Sequence, residues 1–174
     1  LLIVVAGEGI EKISNLKLFP RILTSIIFVI LLIQPLIFDY QLLTNSPPAS
    51  LPREERKGYF EDWTAGYGFS EMAKFLLEEK KKGPVVVGTE GYFGTLPDGL
   101  QIYLDKAEIP IIGSHAAISE QIRNSASGNR TYFAGNKNSL EGSISGVKLI
   151  LEYPKTKPLD GSKWDSSVLY EVLP

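Results

Sequence analysis

The sequence contains no cysteine and only one histidine, His115, among its 174 residues. Without cysteine there is no disulfide framework, thiol nucleophile or thiolate metal site, and a single histidine excludes a multi-histidine metal site. The net charge of -2 also lacks the basic excess that is typical of nucleic-acid-binding domains. We therefore expect no metal, no cofactor and no nucleic-acid partner.

Residues 22–38 lack any charged side chain, and apolar neighbours extend this segment to about 20 residues, the length that crosses a bilayer. Gln34 and Pro35 interrupt it, and a proline inside a membrane helix requires a neighbouring helix or water to satisfy the freed carbonyl. The sequence predicts a transmembrane helix over residues 22–43, in contact with the lipid bilayer. The alternative is a buried core helix of a soluble protein.

Basic residues precede this segment but do not follow it closely. Lys12, Lys17 and Arg21 lie before it, whereas the next base after it is Arg53. Because lysine and arginine near a membrane helix mark its cytoplasmic side, we expect residues after about 43 on the extracytoplasmic side of the cell membrane.

The start of the sequence is also apolar. Residues 1–6 read LLIVVA, which is typical of the end of an earlier membrane helix or, alternatively, of a buried strand. We interpret residues 1–21 as such a helix end with a cytoplasmic link. The chain is then expected to be the C-terminal part of a longer membrane protein, with upstream transmembrane helices as partners.

The segment that follows the apolar helix is rich first in proline and then in charge. Residues 44–52 contain three prolines, and residues 53–57 read REERK. Proline favours extended backbone, so residues 44–57 are predicted to form a spacer whose charged end is a solvated helical turn. The extracytoplasmic α/β domain is then expected to occupy residues 58–174.

Helical and strand patterns alternate in this domain. A helix is predicted to begin with Ser70 as its N-cap and to run to about Lys82, with Met72 and Leu76 buried and a solvated charged end at residues 78–82. The β-branched residues 84–88 predict a central parallel strand. Further helices are predicted near residues 100–106 and 119–124, and further strands at residues 109–112, 131–134, 147–153 and 167–172.

This alternation predicts an α/β fold, with the N-terminal transmembrane helix followed by a small three-layer α/β domain and a mostly parallel sheet. The last two strands are separated by a turn rich in proline and glycine, so we expect them to close the domain as an antiparallel hairpin.

Candidate ligand-binding residues follow the first predicted strand. Glu90, Tyr92 and Asp98 would lie where parallel strands end, which is where open α/β sheets bind ligands. An aromatic face packs against the C–H groups of a sugar ring, and an acid accepts hydrogen bonds from its hydroxyls. The alternative is that Glu90 and Asp98 cap the next helix while Tyr92 and Phe93 pack on the sheet.

Asp62 and Trp63 form a second candidate pair just before the first helix of the domain. They would contact a sugar, a lipid headgroup or the rest of a membrane protein; alternatively, the tryptophan plugs the domain entrance. His115 has no evident acidic partner, so a structural or solvent-facing role is favoured over catalysis. The sequence therefore offers ligand-binding candidates and neither a catalytic nor a metal-binding residue.

Two motifs carry a resemblance to a known family. Residues 59–68 read YFEDWTAGYG, and residues 85–100 read VVVGTEGYFGTLPDGL. With the apolar helix and proline spacer before them, they resemble the C-terminal end of bacterial multi-pass glycosyltransferases of the GT-C class, similar to dolichyl-phosphate-mannose–protein mannosyltransferases. The resemblance covers roughly residues 20–112.

The resemblance implies that the intact protein transfers a sugar from a polyprenyl-phosphate donor to a glycan or protein acceptor at the outer membrane face. It also implies catalytic acids in a first external loop that this sequence lacks, so no catalytic residue is carried over. On this hypothesis the present part is an accessory extracytoplasmic domain. The alternative is a membrane-tethered, non-enzymatic binding or sensor domain; a soluble hydrolase-like enzyme is disfavoured because no nucleophile motif exists.

Overall fold

A computed structural model describes residues 9, 12, 21–44, 51–115, 117–140 and 145–174. The chain divides into two compact units, Leu1–Ser50 and Leu51–Pro174. The predictions for residues 1–6, and for most of the link before the apolar helix and the proline spacer after it, lie outside the described residues.

The first unit contains helix α1, Arg21–Thr44, with Pro35 inside it. Residues Ser25–Thr44 have a mean hydropathy of 2.1, and none of the residues in the most apolar stretch is buried. At about 1.5 Å per residue, 24 residues span about 36 Å. The predicted apolar helix is therefore confirmed, and it is long and apolar enough to cross a membrane. Signal sequences also contain such an apolar segment. The alternative, a buried core helix, is not what the structure shows.

The second unit is built on a five-stranded mixed sheet with the order β2-β1-β3-β5-β4. The interior strand β1 pairs in parallel with β2 and β3, as predicted. Strand β5 pairs antiparallel with β3 and β4, so the predicted closing hairpin is also confirmed. The strands are β1 Val85–Glu90, β2 Ile111–Ser114, β3 Arg130–Asn136, β4 Val147–Pro154 and β5 Ser166–Val172.

Helices cover both faces of this sheet and produce the three predicted layers. The covering helices are α3 Phe69–Lys80, α4 Thr95–Leu104, α5 Glu120–Ser125 and α6 Lys137–Leu140, and a short helix α2, Arg53–Arg56, precedes them. On one face α3 and α4 pack on Val87 and Tyr132. On the other, α5 and α6 pack on Phe133 and Val168. Successive residues of a strand point to opposite faces, so Tyr132 and Phe133 anchor the two cores separately.

The segment before α3 belongs to the globular unit rather than to an extended spacer. Helix α2 is followed by one π-helical turn, Lys57–Glu61. Arg56 is paired with Glu61 at 2.6 Å, and both side chains are largely buried. The compact unit therefore starts at Leu51, earlier than the expected boundary at Gly58.

The predicted N-cap of α3 is wrong. The helix begins at Phe69 after Gly68, whose φ of 77° is left-handed, and Ser70 makes no capping hydrogen bond. A side chain at Gly68 would also come within 2.2 Å of the ring of Tyr153. The helix therefore starts at a glycine whose missing side chain makes room for Tyr153 of β4, a contact that local sequence does not show.

The prediction of a solvated charged end on α3 is wrong at Glu79, which is only 6% exposed. Its carboxylate accepts hydrogen bonds from Lys82 Nζ at 2.6 Å and from the Tyr132 hydroxyl at 3.1 Å, and it pairs with Arg130. Hydrogen bonding to Lys82 lowers the pKa of Glu79, and burial raises the pKa of Tyr132 to about 12. A charged group is buried here because partners distant in sequence satisfy it.

Helix α4 and strand β2 also differ from their predicted bounds. Helix α4 begins at Thr95, directly after Gly94 with a φ of 94°, instead of near Leu100. Pro97 lies in its first turn, where the missing N–H costs no helical hydrogen bond. Strand β2 lies two residues later than predicted. The short helix α5 follows Ser119, whose hydroxyl accepts from Ile122 N.

Candidate ligand-binding crevice at the carboxyl edge of the sheet

The carboxyl ends of the parallel strands meet at one edge of the sheet. Glu90 ends β1, Ser114 ends β2 and Asn136 ends β3, and Glu90 lies in register with Ser114. Lys155, which directly follows β4, lies at the same edge because β4 runs in the same direction as β3. This edge is where open α/β sheets bind ligands.

Glu90 is fixed by Asn136 across this edge. One carboxylate oxygen, Oε2, accepts hydrogen bonds from the Asn136 backbone N at 2.7 Å and from its Nδ2 at 3.1 Å. The other oxygen, Oε1, bonds to none of the described residues. Glu90 does not cap the following helix, so that alternative is wrong for this residue. Its free oxygen remains available to accept a hydrogen bond from a ligand.

Behind Asn136 lies a lysine that sequence reasoning missed. Lys155 is 2% exposed, and its Nζ donates to Asn136 Oδ1 at 2.5 Å, to the carbonyl of Asp62 at 2.8 Å and to Asp165 Oδ2 at 3.3 Å. Burial lowers the pKa of Lys155, while the nearby Asp165 opposes this effect. Three acceptors match the three N–H donors of an ammonium group, so the buried Lys155 links Asn136, Asp62 and Asp165 at this edge of the sheet.

Nothing in the local sequence marks Lys155 as buried. It stands in the segment PKTKP, next to the exposed Lys157, and it reads as part of a solvated turn. Its acceptors come from positions as distant as Asp62 and Asn136. Only the folded arrangement of these segments shows that the ammonium group is enclosed.

Tyr92 and Phe93 lie exposed on the loop that follows β1. They are 61% and 84% exposed, so the alternative in which they pack on the sheet is wrong. The Tyr92 ring meets the His115 ring edge to face, with centroids 5.1 Å apart. His115 is solvent-facing, as its favoured interpretation predicts. Exposed aromatic faces of this kind can stack on the C–H face of a sugar.

This aromatic loop is held against β2 by the backbone. Gly91 N donates to the carbonyl of Ser114 at 2.6 Å. A side chain on Gly113 would lie 2.7 Å from the Gly91 carbonyl oxygen and 2.8 Å from Tyr92 Cα. The absence of a side chain at Gly113 therefore lets the loop approach β2 closely enough to place Tyr92 against it.

Asp98 is engaged in capping a helix. Its Oδ2 accepts from Gly94 N, the residue before α4, at 3.0 Å. This is the alternative that the sequence left open for Asp98, and the structure confirms it. A carboxylate in the first turn also interacts favourably with the helix dipole.

Asp62 and Trp63 join the crevice from the segment before α3. The Asp62 carbonyl binds Lys155, while its carboxylate accepts from Trp63 N at 2.8 Å and lies 3.9 Å from Lys57 Nζ. Trp63 is 55% exposed, so it does not plug the domain. Asp62 and Glu90 are thus linked through Lys155 and Asn136. Tyr92 lies on the β2 side of the same edge, against His115.

Ser114, at the end of β2, is followed directly by His115. The Ser114 hydroxyl donates to the carbonyls of His115 and Ala117, so no hydroxyl–imidazole pair forms there. The described residues also contain no group of three side chains placed to hold a metal ion. Comparison with protein-family models, with curated proteins and with solved structures finds no match to this chain.

Proposed function

We propose that this chain is part of an integral-membrane glycosyltransferase of the GT-C class that uses a polyprenyl-phosphate-linked sugar donor. In this proposal α1 crosses the cell membrane and the α/β unit lies on the extracytoplasmic side as an accessory domain. The observation that carries the proposal is α1, whose apolar side chains stay exposed around the helix, including Ile30 at 59%, Leu31 at 66% and Leu36 at 64%. Lipid is the solvent that suits such a surface.

The role of the α/β unit is to bind the glycan or protein acceptor at the carboxyl-edge crevice. Tyr92 and Phe93 offer exposed ring faces for a sugar, and the free oxygen of Glu90 accepts a hydrogen bond from a hydroxyl group. Because Asn136, itself bonded to Lys155, fixes the Glu90 carboxylate, this side chain loses little conformational freedom when a ligand binds. The catalytic acids belong to the upstream part that the family resemblance implies.

The proposal is tested on membranes that contain the whole protein, with radiolabelled polyprenyl-phosphate sugars as donors. We expect transfer of label to a glycan or protein acceptor. Glu90→Gln retains an oxygen that accepts from Asn136 but replaces the free oxygen by an amide donor. We expect it to raise KM for the acceptor several-fold and to leave KM for the donor unchanged.

The companion variant Tyr92→Ala should also raise KM for the acceptor, and its control is Tyr103→Ala, which removes a 53% exposed aromatic ring from α4 at the opposite edge of the sheet. We expect Tyr103→Ala to keep the KM values of the unmodified protein. Absence of transfer with every polyprenyl-phosphate sugar tested contradicts the proposal.

A second candidate function is a membrane-tethered binding domain without enzymatic activity. It is favoured by the lack of a hydroxyl–imidazole pair in the crevice. This candidate predicts the same glycan binding, lost in Tyr92→Ala, but no transfer of label and a single membrane span.

A further inference from the structure

Both tryptophans of the chain lie on one part of the globular unit, on either side of Lys155. Trp63 follows Asp62, whose carbonyl accepts from Lys155 Nζ at 2.8 Å. Trp164 Nε1 donates to the carbonyl of Lys155 at 2.7 Å. The two rings are 55% and 53% exposed, although large aromatic side chains are normally well buried.

The exposed part of Trp164 is purely apolar, because the one polar atom of its ring is bonded inside the protein. Two more large apolar side chains are exposed on the neighbouring segments, Tyr59 at 65% and Leu159 at 77%. These segments run side by side, since Thr156 N donates to the carbonyl of Phe60 at 2.9 Å. We call Tyr59, Trp63, Leu159 and Trp164 the aromatic face.

Large apolar side chains that stay exposed on neighbouring segments mark an interaction site. Tryptophan and tyrosine are enriched where protein meets the headgroup level of a membrane, because their rings combine an apolar body with a polar tip. Two basic residues lie beside the aromatic face, and each is paired with an acid: Arg53 with Asp160 at 2.9 Å and Lys57 with Asp62 at 3.9 Å. The exposed aromatic rings, rather than a basic charge, are what suits the headgroup level of a lipid surface.

The chain itself keeps this face near a bilayer if α1 crosses one. Helix α1 ends at Thr44 and the globular unit begins at Leu51, so residues 45–50 are the only link. Even fully extended, that link reaches about 25 Å at most. Leu51 and Leu159 line one surface groove of about 270 Å³, so the aromatic face adjoins the point where the link arrives.

We propose that the aromatic face inserts into the headgroup layer of the membrane that α1 crosses. This inference rests on the proposed crossing by α1. It gives the globular unit a defined orientation, since Lys155 connects the aromatic face to Asn136 and Glu90. The crevice, as the proposed acceptor site, then lies beside the membrane surface.

The tryptophans themselves report on this proposal, because α1 contains none and the chain has only two. The full chain is reconstituted into phosphatidylcholine–phosphatidylglycerol vesicles that carry a spin label near the headgroup end of the acyl chain. We expect about a twofold loss of tryptophan emission, because interfacial side chains insert roughly 5–10 Å, within reach of the label. Acrylamide, which stays in the aqueous phase, should quench the tryptophan emission less than the spin label does.

The variants Trp63→Phe and Trp164→Phe assign the quenching to each ring. The control is the triple variant Trp63→Phe, Trp164→Phe, Tyr103→Trp, which moves the reporter to α4 at the opposite edge of the sheet. We expect its emission to respond to acrylamide and not to the spin label. An equal response to the spin label at position 103 overturns the proposed orientation.

The failure of this inference is distinguishable from the failure of the proposed function. A chain that stays in the vesicles after alkaline extraction, but whose tryptophans are quenched by acrylamide alone, overturns the aromatic face and leaves the crossing by α1 intact. If alkaline extraction removes the chain from the vesicles, both the insertion of the aromatic face and the crossing by α1 are overturned. If neither acrylamide nor the spin label quenches the tryptophans, and copies of the chain can be cross-linked, the aromatic face binds a second copy. That result overturns membrane insertion.

Discussion

The ammonium group of Lys155 lies 2.5 Å from the side-chain oxygen of Asn136, and the lysine side chain is fully enclosed. This contact joins the segment after β4 to the end of β3. Asn136 in turn donates twice to Glu90, the last residue of β1. A single buried cation therefore connects three strand ends and determines where the carboxylate of the candidate crevice lies.

Lys155→Met should destabilise the globular unit by about 3–5 kcal/mol, because it leaves Asp165 buried without its cation. Urea unfolding of the full chain in detergent, followed by tryptophan emission, measures the change. The double variant Lys155→Met, Asp165→Asn removes both charges and should recover part of the loss. A single variant as stable as the unmodified chain contradicts the proposed role of Lys155.

The pH dependence of stability should also reveal Lys155. Burial lowers its pKa in the folded state below the usual 10.5, so the unfolded chain binds more protons between the two values. The free energy of unfolding should therefore rise, relative to Lys155→Met, as pH increases from the lowered pKa towards 10.5. A difference between the two proteins that is flat or falls across this range contradicts the assignment.

Glu79 should show a pH dependence of the same sign, in the acidic range. Its pKa is lowered in the folded state, chiefly by the hydrogen bond from Lys82, so its contribution is present above the usual 4.5 and is lost as pH falls through the lowered value. Glu79→Gln should cost about 1–3 kcal/mol at neutral pH, since hydrogen bonds to a charged group are lost. Unfolding curves of both proteins at neutral and acidic pH should converge as pH falls; a constant gap contradicts this account.

Gly113→Ala should displace the loop that carries Tyr92. The added carbon would lie 2.7 Å from the Gly91 carbonyl oxygen, and backbone must move to relieve the contact. We expect a loss of about 1–3 kcal/mol in the free energy of unfolding. The matched control is Gly128→Ala, where the added carbon meets nothing within 4 Å. Equal stability of the two variants contradicts the close approach.

The sheet could be predicted from sequence where local pattern decides the structure. The β-branched run that starts at Val85 marks an interior strand, and the turn before β5 marks the hairpin. The starts of α3 and α4 could not be predicted, because they follow Gly68 and Gly94 in left-handed conformations. In the case of α3, the ring of Tyr153 also leaves no room for a side chain at Gly68.

Only part of the candidate site could be predicted from the sequence, because some of its residues are placed by contacts between distant segments. Glu90 and Tyr92 follow a recognisable strand, so their position at the carboxyl edge can be anticipated. Lys155 and Glu79 occur among other charged residues, and nothing local separates them from solvated neighbours. Their burial depends on partners far along the chain, Asn136 for the lysine and Tyr132 for the glutamate.

The central claim is that α1 crosses the membrane with the globular unit outside the cytoplasm. Because the chain has no cysteine, Lys12→Cys and Gln121→Cys each introduce a single thiol at an exposed position on either side of α1. A membrane-impermeant maleimide should label the Gln121→Cys protein in intact cells and the Lys12→Cys protein only after permeabilisation. Labelling of both proteins, or of the Lys12→Cys protein alone, in intact cells contradicts the account.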